Sequence, residues 1–268
     1  MPTLVDRYGP WALVAGASEG IGAAFARALA EAGFSLLLIA RREGPLEALA
    51  AELRTRSGRE VETLALDLAA SDLEQRFETL ARDREVGLVV YNAALSIVAP
   101  FLQTALSDQL RALDVNARGP LIAAHVFGRA MAARGRGGIV LLSSLTAFFG
   151  SPFVATYGAT KAFNLSLGEA LAHELGAHGI DVVVSCAGAT RTPGFLAAVS
   201  GRNAPRSMSP EAVATETLRA LPVRGAFIPG AFNRLAQLIL SRLLPRRAAV
   251  RIMASHTRAL LERTESGK

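Results

Sequence analysis

The chain has 268 residues, 51% hydrophobic and only 19% charged. That composition excludes a disordered polypeptide and suits one large α/β domain, which would bury roughly three-quarters of its unfolded surface. The net charge of +6 is uneven, because from Arg224 onward eight arginines and one lysine face only Glu262 and Glu265, leaving −1 for the rest of the chain. No nucleic-acid-binding module with exposed aromatics is evident, so no nucleic-acid partner is expected.

The lone cysteine, Cys186, excludes an internal disulfide, and residues 1–9 lack a basic stretch followed by an apolar one. A cytoplasmic setting is expected. No run of 18 apolar residues exists, so nothing is expected to span a bilayer. The four histidines, His125, His173, His178 and His256, are scattered and predict no metal site.

The first apolar run, Ala12–Gly16, leads into Gly16-Ala17-Ser18-Glu19-Gly20-Ile21-Gly22 and a helical pattern over Ile21–Ala32. Glycines here allow a tight turn, backbone approach to a pyrophosphate and close packing of helix on sheet. The helix N-terminus adds unpaired N–H donors and partial positive charge for phosphates. Gly16, Ser18, Glu19, Gly20, Ile21 and Gly22 are therefore candidate coenzyme residues.

A second run, Ser35–Ala40, ends in Arg41-Arg42, where an NAD site would place a carboxylate for the ribose 2′-hydroxyl. Paired guanidiniums there suit a 2′-phosphate, so NADP(H) is favoured over NAD(H). Helix Pro45–Arg56 follows, then a strand over Val61–Asp67 whose end offers Asp67 and Leu68 to an adenine. Past helix Ser71–Arg82, strand Leu88–Asn92 brings Asn92 and Ala93 to the ribose side. Both pairs also have the residue types of ordinary turns.

A long helix is predicted over Ala105–Arg134, then a strand over Gly138–Ser143, then a helix over Val154–His178. That last helix holds Tyr157 and Lys161. In a chain with 27 arginines and two lysines, the interior lysine stands four places after a tyrosine, which puts both on one helix face a turn apart. A compact ammonium there is expected to lower the phenol pKa towards working pH and make a general acid/base.

Strand Asp181–Cys186, helix Pro210–Leu221 and strand Ala226–Ile228 complete the alternation. Strands apolar on both faces, separated by helices, predict one doubly wound parallel sheet of about seven strands with helices on both faces. Residues 1–230 form the predicted dinucleotide-binding catalytic domain. Residues 231–268 read as a basic amphipathic extension, Phe232–Leu244 and Ala248–Leu261 broken at Pro245. Its predicted roles are packing on the domain as a lid, contact with a second subunit, or attachment to a membrane surface.

With the glycine loop, Tyr91-Asn92-Ala93-Ala94, Asp114-Val115-Asn116, Ser143-Ser144 and the Tyr157/Lys161 pair in this order, residues 10–230 resemble the short-chain dehydrogenase/reductase family. Departures are Ala15 for a threonine, Tyr91 and Ala94 at the ends of an Asn-Asn-Ala-Gly stretch, and Ala187 for a proline. The resemblance implies a Rossmann-type fold, a nicotinamide coenzyme, a carbonyl or alcohol substrate and homo-oligomers through 105–134 and 154–178. It implies Tyr157 as acid/base, Ser144 stabilising the alkoxide and Lys161 also holding the nicotinamide ribose. Asn116 would support a water relay, and Gly188, Thr190 and Thr192 would lie near the carboxamide. Leu95, Phe148, Phe149, Phe153 and Phe195 are expected beside the site, suggesting an apolar substrate. A non-catalytic NADP(H)-sensing regulator of the same fold and a membrane-surface lipid carbonyl reductase are the alternatives.

Overall fold

The computed structural model describes residues 3–198 and 207–266. Seven strands, β1 Trp11–Ala15, β2 Ser35–Ala40, β3 Val61–Ala65, β4 Val86–Tyr91, β5 Gly137–Ser144, β6 Ile180–Ala187 and β7 Gly225–Phe227, form one parallel sheet in the order β3-β2-β1-β4-β5-β6-β7. The helices are α1 Leu4–Tyr8, α2 Gly20–Glu31, α3 Glu43–Ser57, α4 Leu73–Asp83, α5 Leu106–Leu113 and α6 Gly119–Arg134. They continue with α7 Ala155–Glu174, α8 Pro193–Ala198, α9 Pro210–Ala220, α10 Ala231–Leu238 and α11 Arg246–Ser266.

Alternation along the central strands divides the core in two. Leu36 and Leu38 face α2, α3 and α9, whereas Leu37 and Ile39 face the side covered by α4, α6 and α7. Every residue of β4 and β6 is buried, as a sheet covered on both faces requires. The strand order reverses between β1 and β4, which opens a crevice beyond their carboxyl ends.

At the opposite end of the sheet, Asp181, the second residue of β6, is buried and gathers four donors. It accepts from Arg7 Nε at 2.8 Å, Arg7 NH2 at 2.6 Å, the Tyr8 hydroxyl at 2.9 Å and Arg224 Nε at 2.6 Å. The knot ties α1, which the apolar pattern did not predict, to the far end of the chain.

The predicted long helix over 105–134 is interrupted. Residues Asp114–Arg118 form a π-helical turn between α5 and α6. Pro120 is the physical cause: it has no N–H for the carbonyl four residues back, and its ring crowds that carbonyl, which belongs to Asn116. The wider turn frees two carbonyls for outside donors. Val115 O accepts from the Tyr91 hydroxyl at 2.8 Å, and Asn116 O from Asn164 Nδ2 at 3.0 Å. Helix 154–178 likewise ends early, passing at Leu175 into a 3₁₀ turn.

The C-terminal extension is helical as expected, though α10 runs into a second π-helical turn, Ile239–Leu243, before Pro245. One side of α10–α11 packs on the domain. Asn233 is buried and donates to Pro229 O, Ala249 is buried, and Thr257 Oγ1 donates to Pro152 O. Among the described residues, no helix is long and apolar enough to cross a membrane.

Candidate active site

A cleft of about 350 Å³ lies over the carboxyl ends of β1, β2 and β4. Of the predicted coenzyme residues, Gly16, Ser18, Glu19, Gly20, Ile21, Arg41, Arg42, Asp67, Leu68, Asn92, Ala93 and Thr192 line it. The glycines make it possible. Gly16 has φ +82°, and a Cβ there would lie 2.7 Å from Ala93 Cα; a Cβ on Gly22 would lie 2.0 Å from Gly16 O. Gly22 thus lets α2 start directly against the turn. No side chain caps the first-turn N–H groups of α2, so they remain for an anion. Asn92 Nδ2 fixes the loop by donating to Gly16 O at 2.8 Å.

The two arginines are not equivalent. Arg42 pairs with Glu19 at 2.6 Å, while Arg41 has no ion pair among the described residues and faces the cleft. Asp67 accepts from Ala69 N–H at 3.0 Å and Arg111 at 2.5 Å. Burial disfavours its charge, but those two donors outweigh burial and hold the carboxyl below its usual range. Arg111 itself lines the cleft. Nothing local in the sequence marks it, because its partner is 44 residues away.

Tyr157 lines a smaller cavity that shares Leu95 with the cleft, and Ser144 and Lys161 are its neighbours. Ser144 closes β5, whereas Tyr157 and Lys161 share one face of α7. Lys161 Nζ sits 5.4 Å from the Tyr157 ring centroid and donates to Leu142 O at 2.7 Å. Ser143 Oγ donates to Lys161 O at 2.7 Å, so the lysine is pinned to β5 at both ends.

The electrostatics reverse one expectation. Burial raises the Tyr157 pKa, opposed by a hydrogen bond with Ser144, and Lys161 does not bring it down. The ammonium is itself the strained group: Lys161 is 2% exposed, and burial pulls its pKa down to about 8. Cys186, on the neighbouring strand, is pushed by burial up to about 12 and stays a neutral thiol.

Asn116 is buried, and its side chain is fully committed. It exchanges hydrogen bonds with Leu95, accepting from N–H at 2.7 Å and donating to C=O at 2.8 Å, and also donates to Thr160 Oγ1 at 3.2 Å. It clamps the loop after β4 to the helix bearing Tyr157. Two polar atoms nearby, Asn164 Oδ1 and Thr146 Oγ1, are buried with no partner among the described residues. Sequence reasoning passed over Asn164, although it follows Tyr157 by seven places and so shares its face.

Gly188 and Thr190 lie off the cleft. A Cβ on Gly188 would meet Asn233 Oδ1 of α10 at 2.5 Å, and Thr190 is buried with its hydroxyl on Gly188 O. Of the predicted apolar set, Leu95 and Phe153 line a small cavity with Ile97, Ala99, Phe101 and Tyr157. Phe149 is buried against Phe148, and Phe195 does not reach the cavity.

A glycine turn at the switch point of a seven-stranded parallel sheet, opening on a cleft that borders the cavity holding Tyr157, marks a protein of the doubly wound, Rossmann-like class. The short chain dehydrogenase family profile matches residues 10–202. The chain belongs to that family, whose members use nicotinamide coenzymes and carry out carbonyl/alcohol oxidoreduction.

A 7beta-hydroxysteroid dehydrogenase of Clostridium sardiniense is 30% identical over 236 residues, 85% of this chain and 88% of its own. A very-long-chain 3-oxoacyl-CoA reductase of Podospora anserina is 38% identical over 182 residues, 66% of this chain but 53% of its own. Among solved structures, a 7beta-hydroxysteroid dehydrogenase superposes with TM-score 0.89 at 28% identity, covering 94% of this chain and 99% of that one. A short-chain dehydrogenase of Sphingobium yanoikuyae in complex with NADPH gives 0.78 at 30% identity, covering 87% and 93%.

Proposed function

We propose that the protein is an NADP(H)-dependent oxidoreductase interconverting a ketone or aldehyde and an alcohol on a bulky apolar substrate. The observation that carries this reading is Tyr157, with Ser144 and Lys161 as neighbours, in a cavity that shares Leu95 with a cleft whose glycine turn leaves the α2 N–H groups uncapped. The residues fit a dinucleotide: a Cβ at Gly16 or Gly22 would clash with the backbone of Ala93 or Gly16, so the tight turn needs both glycines, and no side chain caps the α2 N–H groups above it. Bound there, the nicotinamide supplies the hydride.

Tyr157 holds the proton at its hydroxyl. Because burial raises its pKa, the phenol stays protonated near neutrality and is ready to donate to an alkoxide oxygen. Ser144 Oγ donates a hydrogen bond to the same oxygen, where negative charge grows. Lys161 keeps its charge at neutral pH, 5.4 Å from the Tyr157 ring centroid, and the hydrogen bond from Ser144 is what favours the phenolate left behind. Its ammonium also orients the ribose hydroxyls. Asn116 serves by holding Leu95 and Thr160 in place around this group.

Arg41, which has no ion pair among the described residues, grips a 2′-phosphate; Arg42, shared with Glu19, is the weaker contact. The NADPH complex of a related structure supports the same preference. Relatives named for a hydroxysteroid and for a very-long-chain 3-oxoacyl-CoA, together with Leu95, Ile97 and Phe153 beside Tyr157, favour a large apolar carbonyl compound. Homo-oligomers through α5–α7 are part of this reading, since Leu106, Leu110, Leu121 and Phe163 are exposed there.

The test is a carbonyl panel followed by loss of NADPH absorbance and repeated with NADH. Tyr157→Phe is expected to bind NADPH normally and lose turnover by about 10²–10⁴-fold. Full activity in that variant would refute the acid.

A further inference from the structure

We propose that α10 and α11 dock the protein on an anionic lipid surface. The tail is held on the domain in one orientation. Asn233 is buried against Gly188, Thr257 donates to Pro152 O, and the Arg258 guanidinium lies 5.5 Å from the Phe153 ring centroid. Its inner face is thereby used up, and its outer face is fixed in direction.

That outer face is apolar. Leu235, Leu238, Ile239 and Leu243, spaced to fall on one side of the helix, are 54%, 51%, 38% and 72% exposed. A surface leucine alone means little, but four in one stripe do. Arg242 lies within the stripe and Arg246 and Arg247 follow Pro245; none of the three forms an ion pair among the described residues. Most arginines of the domain body are instead matched to carboxylates, such as Arg27 with Glu52 and Arg84 with Glu62.

Leucines flanked by unmatched arginines fit the boundary between acyl chains and anionic headgroups, where the apolar face enters and the guanidiniums meet phosphate. A second copy fits less well. A twofold contact would set this patch against itself and bring the arginines together. A nucleic acid has no use for the leucines. The inner side of α11, through Thr257 and Arg258, touches Pro152 and Phe153, and Phe153 lines the apolar cavity that holds Tyr157.

The experiment is co-sedimentation of the full chain, without coenzyme or substrate, with vesicles of phosphatidylcholine alone and of phosphatidylcholine mixed with phosphatidylglycerol. Binding to the mixed vesicles is expected, at least about tenfold weaker binding to phosphatidylcholine alone, and weakening by salt. L235E/L243E should abolish binding and R246Q/R247Q should reduce it on the order of tenfold. Both variants alter exposed positions, and each is checked for an unchanged unfolding midpoint. L235S/L243S stands in if the first fails that check. No sedimentation with either vesicle, or equal binding by all variants, overturns the proposal. So does a wild-type dimer that L235E/L243E converts to monomer with no lipid binding, which assigns the stripe to a second copy. None of these outcomes depends on the carbonyl chemistry.

Discussion

Lys161 gives the sharpest quantitative test. It is 2% exposed, and burial lowers its pKa to about 8 from an ordinary 10.5. Below pH 8 the amine is protonated in both folded and unfolded chains, and the cost of burying the ammonium is fully present. Between 8 and 10.5 the unfolded chain binds a proton that the folded one does not, so folding becomes more favourable as pH rises. The whole gap corresponds to about 3 kcal/mol. Lys161→Met removes the titration while keeping a long apolar stem. Urea unfolding followed by Trp11 fluorescence, at steps from neutrality to pH 10.5, should show wild type gaining about 3 kcal/mol on the variant. Titrations of groups that do not interact with Lys161 are common to both proteins and cancel in the difference. Parallel stability curves would refute the reasoning and mean that water or a counter-charge reaches the amine.

Three further outcomes follow from single contacts. Asp181→Asn strips the charge that Arg7, Tyr8 and Arg224 converge on in a buried position; a loss of about 3–5 kcal/mol in urea unfolding is expected, and a loss below about 1 kcal/mol would show the knot to be ornamental. Arg41→Ala should raise KM for NADPH roughly 10–100-fold and leave NADH unchanged; equal effects on both coenzymes would remove the 2′-phosphate role. Asn164→Asp replaces the donor to Asn116 O by an acceptor, with an expected cost of about 1–3 kcal/mol near neutral pH. Since a protonated aspartic acid can donate to that carbonyl, the cost should shrink as pH falls, and a penalty independent of pH would argue against the contact.

What the sequence made legible was local. The glycine turn declares itself because strand, loop and helix are contiguous, and Tyr157 with Lys161 because helix geometry alone sets their spacing. Pro120 was equally visible and would have broken the helix over 105–134 had its missing N–H been traced to Asn116. What stayed hidden depends on chain segments far apart. Arg111 reaches the cleft only through Asp67, and Gly188 faces Asn233 rather than the cleft because α10, 45 residues later, comes back over the end of β6. The pKa expectation failed for a related reason. Spacing gives the distance from Lys161 to the phenol but not the depth of either group, and depth decides here: at 2% exposure the ammonium pays more to lose water than it gains from the ring. A charge held so uneasily is stabilised by any hydroxyl-rich ligand laid against it.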